Sequence, residues 1–191
     1  DGEIELRDAS ALWGKTTGET EEAISKELEE RLELAAIGPA GENLVNFAAI
    51  IHRRSRACGR CGTGAVMGSK NLKALAVKVQ PPLKGTFDAE GLKTLTGNVR
   101  KRIEANETVA DMGINGTAST IDYFVTDGAL PSYNWRDGFM PGAEKTGAVA
   151  LNNGLLKGRD TCYACALRCK RVVDIPGKVD PSYGGPEYET L

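Results

Sequence analysis

Cys162-Tyr163-Ala164-Cys165-Ala166-Leu167-Arg168-Cys169 places three cysteines within eight residues at C-x2-C-x3-C spacing. Thiolates are soft, negatively charged ligands that suit zinc or an iron–sulfur cluster. A single cysteine is often a small buried hydrophobe, but three so close along the chain are not a scatter of core residues. Structural zinc usually takes two local pairs. A triple with one distant ligand is the arrangement of a cluster. The order also differs from the C-x3-C-x2-C run of radical enzymes that leave one iron open. Arg168, Lys170 and Arg171 surround the thiols. Such cations either offset the negative charge of a bound cluster and raise its potential, or form a solvated basic face.

Working outward, residues 128–160 are rich in Gly, Pro and Asn with little periodicity, and read as a long ordered loop leading to the cysteines. Before them, Asp88 is positioned to cap a helix over 89–105, and Thr117 a second over 118–126 that stops at Gly128. Pro81-Pro82 breaks the pattern and marks a domain boundary. Residues 1–80 have a different style. Residues 3–7 alternate as a short strand does. Thr16 and Glu19 form a potential capping box for a helix over 19–32, with Ala23, Ile24, Leu28 and Leu32 on its buried face. Leu34-Ala35-Ala36-Ile37 reads as a buried strand stopped by the turn Gly38-Pro39-Ala40-Gly41. Leu44, Val45, Phe47, Ala48, Ile50 and Ile51 form another buried segment, and residues 74–79 a further strand. Strands in the first part and helices in the second (81–191) make the class α+β. Pro186 to Leu191 reads as a helix just beginning.

The 191 residues allow one or two domains. Lys+Arg 24 against Asp+Glu 26 gives a net charge of −2, which implies no nucleic-acid partner. Apolar content of 41% and charged content of 26% fit a soluble globular protein. No run of about 18 apolar residues is present, so no membrane span is expected. Five cysteines at tight spacings point to a reducing, cytoplasmic setting and metal work rather than to a disulfide framework. Asp1-Gly2-Glu3 is neither a signal peptide nor an initiator, so both ends are expected to be cuts within a longer protein.

A second stretch, Arg56 to Asn71, holds four glycines and three cationic residues. Glycines let backbone approach a ligand closely, successive N–H groups can form an anion nest, and Arg56 and Arg60 could clamp a phosphate. The spacing is neither a Walker loop nor G-x-G-x-x-G. The alternative is a tight glycine-rich turn packed under a sheet. Cys58 and Cys61 make a C-x2-C pair that could take zinc, exchange disulfides or donate to a cluster; the preferred reading is thiols that are buried or that stand behind the ligands without ligating. His52 is the only histidine and reads as a hydrogen-bonded structural residue.

Taken in order, Ile37-Gly38-Pro39-Ala40-Gly41-Glu42, Arg56 to Lys73, the cysteine triple and Gly184-Gly185-Pro186-Glu187-Tyr188-Glu189-Thr190 resemble the tungsten-dependent aldehyde:ferredoxin oxidoreductase family over nearly the whole chain. The resemblance implies a tungsten (or molybdenum) bis-pyranopterin beside one [4Fe-4S] cluster, with magnesium bridging the pterins. It implies a β-sheet-based pterin-binding part followed by a mainly helical part. It assigns cofactor binding to Arg56, Ala57, Gly59 and Arg60, cluster ligation to Cys162, Cys165 and Cys169, and the active-site carboxylate to Glu187. A fourth cluster cysteine and further pterin-binding segments would lie outside this chain. The implied reaction is oxidation of an aldehyde to a carboxylate, with electrons passing to ferredoxin or an electron-transfer subunit, in a homo- or hetero-oligomer. Alternatives are low-potential reduction of an aromatic acyl-thioester and a non-catalytic iron–sulfur electron carrier.

Overall fold

Thr16 starts the first helix, α1 (Thr17–Leu28), with a complete capping box. The Glu19 N–H donates to the Thr16 hydroxyl at 3.3 Å and the Thr16 N–H donates to the Glu19 carboxylate at 2.8 Å, which satisfies two donors the helix start would otherwise leave unpaired. The computed structural model describes residues 4–29, 32–78 and 87–187. These fall into two units, Asp1–Leu83 and Lys84–Leu191, and Pro81-Pro82 lies outside the described residues.

In the first unit, α1 closes before the predicted end at residue 32, because Glu29 turns left-handed (φ 49). Leu32 instead opens strand β1 (Leu32–Ala36). After β1 come the one-turn helix α2 (Pro39–Glu42), β2 (Ile50–His52), β3 (Arg56–Cys58), helix α3 (Thr63–Ser69) and β4 (Ala74–Lys78). The strands form one antiparallel sheet in the order β3-β2-β1-β4, with Ala35 opposite His52 and Ala36 opposite Ala74. Ile24, Leu34, Ala36, Ile37, Ala48 and Met67 form the buried apolar set.

Two further segment readings fail in this unit. Residues 4–7 form no strand, and Ile4 and Leu6 are exposed; alternation cannot make a strand without a partner for its backbone bonds. The predicted buried segment 44–51 buries Ala48 but leaves Leu44 and Phe47 exposed, because it is a turn leading into β2 rather than a packed element.

The second unit contains α4 (Ala89–Glu104), α5 (Glu107–Asn115), α6 (Ser119–Thr126), α7 (Ala148–Gly154) and the hairpin β5 (Leu156–Asp160) with β6 (Lys170–Val173). Asp88 caps α4 as predicted, accepting from the Gly91 N–H at 2.8 Å. Thr117 does not cap α6: it lies in a 3-10 turn, Gly116–Ala118, that runs straight into that helix. The predicted loop 128–160 contains α7 and β5. Helix α7 is short and takes its N-terminal cap from another helix, the Asp122 carboxylate accepting from the Ala148 N–H at 2.8 Å, so no local signal announced it. The predicted helix start at 186 is not seen at Pro186 or Glu187, which are irregular, and the rest of it lies outside the described residues. Ala118, Ala148, Leu151 and Val173 make the core of this unit.

Candidate metal and cofactor site

The three clustered cysteines lie on the loop joining β5 to β6, where the hairpin ladder ends at Asp160 opposite Lys170. Their spacing is folded into two tight turns. The Cys165 N–H donates to the Cys162 carbonyl at 3.1 Å, and the Thr161 hydroxyl donates to the Cys165 carbonyl at 2.7 Å. Ala164 and Arg168 take positive φ of 54° and 55°, one in each gap between cysteines. Non-glycine residues pay a conformational cost there and persist where surroundings impose it. Cys162 is exposed, and Cys165 and Cys169 are half-buried, all as free thiols. Burial pushes the Cys169 thiol up, and the Glu187 carboxylate adds to this. Among the described residues no three Cys, His, Asp or Glu side chains stand close enough to share a single metal ion. A cluster differs in that its thiolates bind separate irons.

Glu187 stands beside this loop. Its carboxylate accepts from Lys170 Nζ at 2.9 Å and from the Thr117 hydroxyl at 3.5 Å. The segment carrying it runs along β6, the Val173 N–H donating to the Gly184 carbonyl at 3.2 Å. Next to Pro186 opens an apolar cavity of about 570 Å³, lined by Leu151, Leu155, Val173, Ile175 and Val179 among others. Glu187 thus stands beside the thiol loop and a cation, and the residue before it, Pro186, lines the apolar cavity.

Sequence reasoning had not singled out Arg171 among the three local cations. It is 2% exposed. Its Nη1 donates to the Ile114 carbonyl at 2.5 Å and its Nη2 to the Gly113 and Arg168 carbonyls at 3.1 and 2.8 Å. Its Nε is buried without a partner among the described residues. Lys170 is instead ion-paired with Glu187, and Arg168 is exposed.

In the first unit, Arg56, Ala57, Gly59 and Arg60 are brought together along the edge strand β3 and the turn after it. Ala57, Gly59 and Arg60 are exposed, and Arg56 is half-buried with Nη1 donating to the Ser55 hydroxyl at 2.7 Å. Cys58 and Cys61 are exposed, which corrects the expectation of buried thiols. They end β3 and begin a turn whose side chains do not enter the core.

Three of the four glycines here serve the protein's own packing rather than a ligand. Gly62 has φ 63°, and a Cβ there would stand 2.1 Å from the Asn46 carbonyl oxygen. A Cβ on Gly68 would stand 2.0 Å from the Gly41 carbonyl oxygen, and one on Gly64 2.6 Å from that of Ala49. Only glycine lets α2 and α3 approach this closely. Gly59 has no such neighbour.

This frame is locked by a buried ion pair that the sequence analysis did not single out. Lys73 is 1% exposed; its Nζ donates to the Glu42 carboxylate and, at 2.7 Å, to the Lys15 carbonyl. Glu42 also accepts from the Gly14 N–H at 2.9 Å. His52 is structural, as read: its Nε2 lies 2.8 Å from the Glu33 carboxylate, which also accepts from Arg53.

Residues 1–79 match the aldehyde ferredoxin oxidoreductase N-terminal domain, and residues 94–191 match domains 2 and 3 of the same family. The chain is 41% identical over its whole length to a tungsten-containing aldehyde ferredoxin oxidoreductase of Pyrococcus furiosus, and 40% to one of Thermococcus kodakarensis. It spans 31% of the length of each. A WOR-like subunit of an aliphatic sulfonate oxidoreductase from Pyrococcus furiosus is 29% identical over 88% of this chain and 29% of its own. Among solved structures, the active-site complex BamBC of benzoyl coenzyme A reductase with 1,5-dienoyl-CoA matches with TM-score 0.64 and 28% identity, over 92% of this chain and 28% of that one. No helix of the described residues is long and apolar enough to cross a membrane.

Proposed function

The chain belongs to the aldehyde ferredoxin oxidoreductase family, and from that premise we propose that its full-length protein oxidises aldehydes to carboxylic acids and delivers the electrons to ferredoxin or a like carrier. Residues 1–80 contribute to a pterin-binding part, and residues 81–191 carry the cluster loop. The observation that carries this reading is Glu187 beside the thiol loop, its carboxylate bonded to the residue that follows Cys169.

The residues present fit the cofactors of such an enzyme. Cys162, Cys165 and Cys169 are free thiols on one loop, and a buried guanidinium with an orphaned Nε lies beneath it. These three would hold a [4Fe-4S] cluster with a fourth ligand from elsewhere in the full-length protein. Arg56, Ala57, Gly59 and Arg60 would hold the phosphate ends of a tungsten or molybdenum bis-pyranopterin bridged by magnesium. When bound, these groups supply the two-electron oxidation and the one-electron relay. Within this chain, Glu187 takes the proton that must leave when water adds to an aldehyde, and Lys170 holds its carboxylate toward the thiol loop.

A second reading is reduction of an aromatic acyl-thioester, favoured by the likeness to the benzoyl coenzyme A reductase complex. Anaerobically purified full-length protein, assayed for tungsten, pterin and iron and then with aldehydes and aromatic thioesters, separates the two. Iron without pterin or tungsten would instead describe an electron carrier and reject both. Cys165→Ser replaces a soft thiolate by a hydroxyl and is expected to abolish or convert the cluster. Unchanged iron and unchanged reduced-state spectra in that variant would defeat the ligand assignment.

A further inference from the structure

The three cations around the thiols stand in different electrostatic positions. Arg168 is exposed, and the charge of Lys170 is neutralised by Glu187. Arg171 is buried, and among the described residues no carboxylate pairs with it. Its partners are three neutral carbonyls, those of Gly113, Ile114 and Arg168. The first two belong to the last turn of α5, where carbonyls lack helical partners and carry the negative end of the helix dipole. They orient the guanidinium and soften the cost of burying it, but they do not cancel its charge. A buried charge without a counter-charge is costly, and the described residues offer only the thiols of the adjacent loop, with whatever they bind, to compensate it.

The surrounding glycines are shaped around this side chain. Gly116 has φ 67°, and a Cβ there would lie 2.8 Å from the Cys169 carbonyl oxygen and 3.0 Å from Arg171 Nε. A Cβ on Gly185, two residues before Glu187, would lie 3.1 Å from the Arg171 carbonyl oxygen. The guanidinium therefore ties the end of α5 to the thiol loop, while the Arg171 backbone packs against Gly185 at the start of the Glu187 segment.

We propose that Arg171 is the positioning residue of the thiol loop and its fixed counter-charge. It holds the Arg168 carbonyl, and so the backbone that carries Cys169, and it favours the reduced state of a cluster bound there. The inference rests on the cluster reading above. A thiolate-held cluster becomes more negative by one charge when it accepts one electron. A fixed cation nearby in a medium of low dielectric stabilises that added charge.

The test uses the anaerobic full-length enzyme, with iron content and the midpoint potential of the cluster as readouts. Arg171→Gln removes the charge and keeps donors for the carbonyls; Arg171→Lys keeps the charge and loses the fork. Arg171→Gln is expected to hold iron and to lower the reduced-to-oxidised ratio at fixed potential by tenfold or more, about 59 mV for a one-electron couple. Arg171→Lys is expected to shift it by less than half of that. Full iron with an unchanged midpoint in Arg171→Gln overturns the proposal, as does an equal shift in both variants. Loss of iron from both overturns the counter-charge role and leaves Arg171 a purely structural clamp. Wild-type protein without iron rejects the cluster reading itself.

Discussion

Each of the two chemistry-bearing regions buries a cation, and the two are compensated differently. Lys73, in the sheet-containing unit, is answered from within by Glu42, and Glu42 is answered again by the Gly14 N–H. Among the described residues Arg171, under the thiol loop, meets carbonyls alone. The first arrangement closes on itself: one buried charge answers the other, and glycines draw α2 and α3 together beside it. The second retains a net positive charge beside three free thiols. A balanced buried pair serves the frame, whereas an unbalanced buried charge points to something the frame is built to receive.

The largest effect should come from unbalancing the balanced region. Lys73→Met strands the Glu42 carboxylate in a buried site, and breaking such a pair costs about 3–5 kcal/mol. Thermal unfolding of the full-length protein and proteolysis within residues 4–78 should both register the loss. Pairing the change with Glu42→Leu should recover part of it. No recovery in the double variant would mean that the contacts to Lys15 and Gly14, rather than the charge balance, carry the stability.

Next in size is the carboxylate at the receiving region. Glu187→Gln keeps the shape and removes the basicity. Turnover in the full-length enzyme should fall by roughly 10²-fold, the scale for losing a general base, with iron, tungsten and pterin contents unchanged. Glu189→Gln should be much milder, and a larger loss there would move the proton-accepting role to that residue.

Smaller effects are expected at the edge of the sheet. Arg56→Ala and Arg60→Ala each remove a charge-assisted contact of about 1.5–3 kcal/mol, roughly tenfold to a hundredfold in cofactor affinity. Cluster iron should stay in place. Normal pterin content under limiting cofactor supply would show that this edge, like the glycines behind it, serves only the protein's own fold.

The smallest effect concerns acid. Hydrogen bonding from Arg53 holds the Glu33 carboxyl down, from an ordinary 4.5 to about 2, against the opposing effect of burial and with help from His52. A carboxylate whose folded pKa is depressed adds stability above its unfolded pKa, and that stability fades as pH falls through the folded value. The contribution of Glu33 should therefore be complete above about pH 5 and vanish toward about pH 2. Comparing acid unfolding of wild type and Glu33→Gln checks this. Curves that stay parallel down to pH 2 would remove Glu33 from the account.

Local signals carried a good part of this structure. The Thr16–Glu19 box, the Asp88 cap, the β1 run and β4 involve residues a few positions apart, so the chain announces them. The thiol triple is likewise a short-range pattern, and the ligand role proposed for it rests on that spacing. Elements that borrow from afar were missed. Helix α7 is capped by Asp122, 26 residues away, and β5 exists because β6 pairs with it. The 4–7 alternation shows the converse, a strand pattern without a partner.

By itself, then, the sequence determined the α+β class and the family likeness, because residue type and short spacing settle these. Which charges are answered was decided only in three dimensions. Lys73 and Glu42 are 31 residues apart, and Arg171 reaches carbonyls 57 and 58 residues earlier in the chain. In the sequence Arg168, Lys170 and Arg171 are three equivalent cations within four residues. Tertiary packing exposes the first, pairs the second and buries the third, because the energy of a charge depends on its solvent and its counter-charge, and neither is written beside it in the chain.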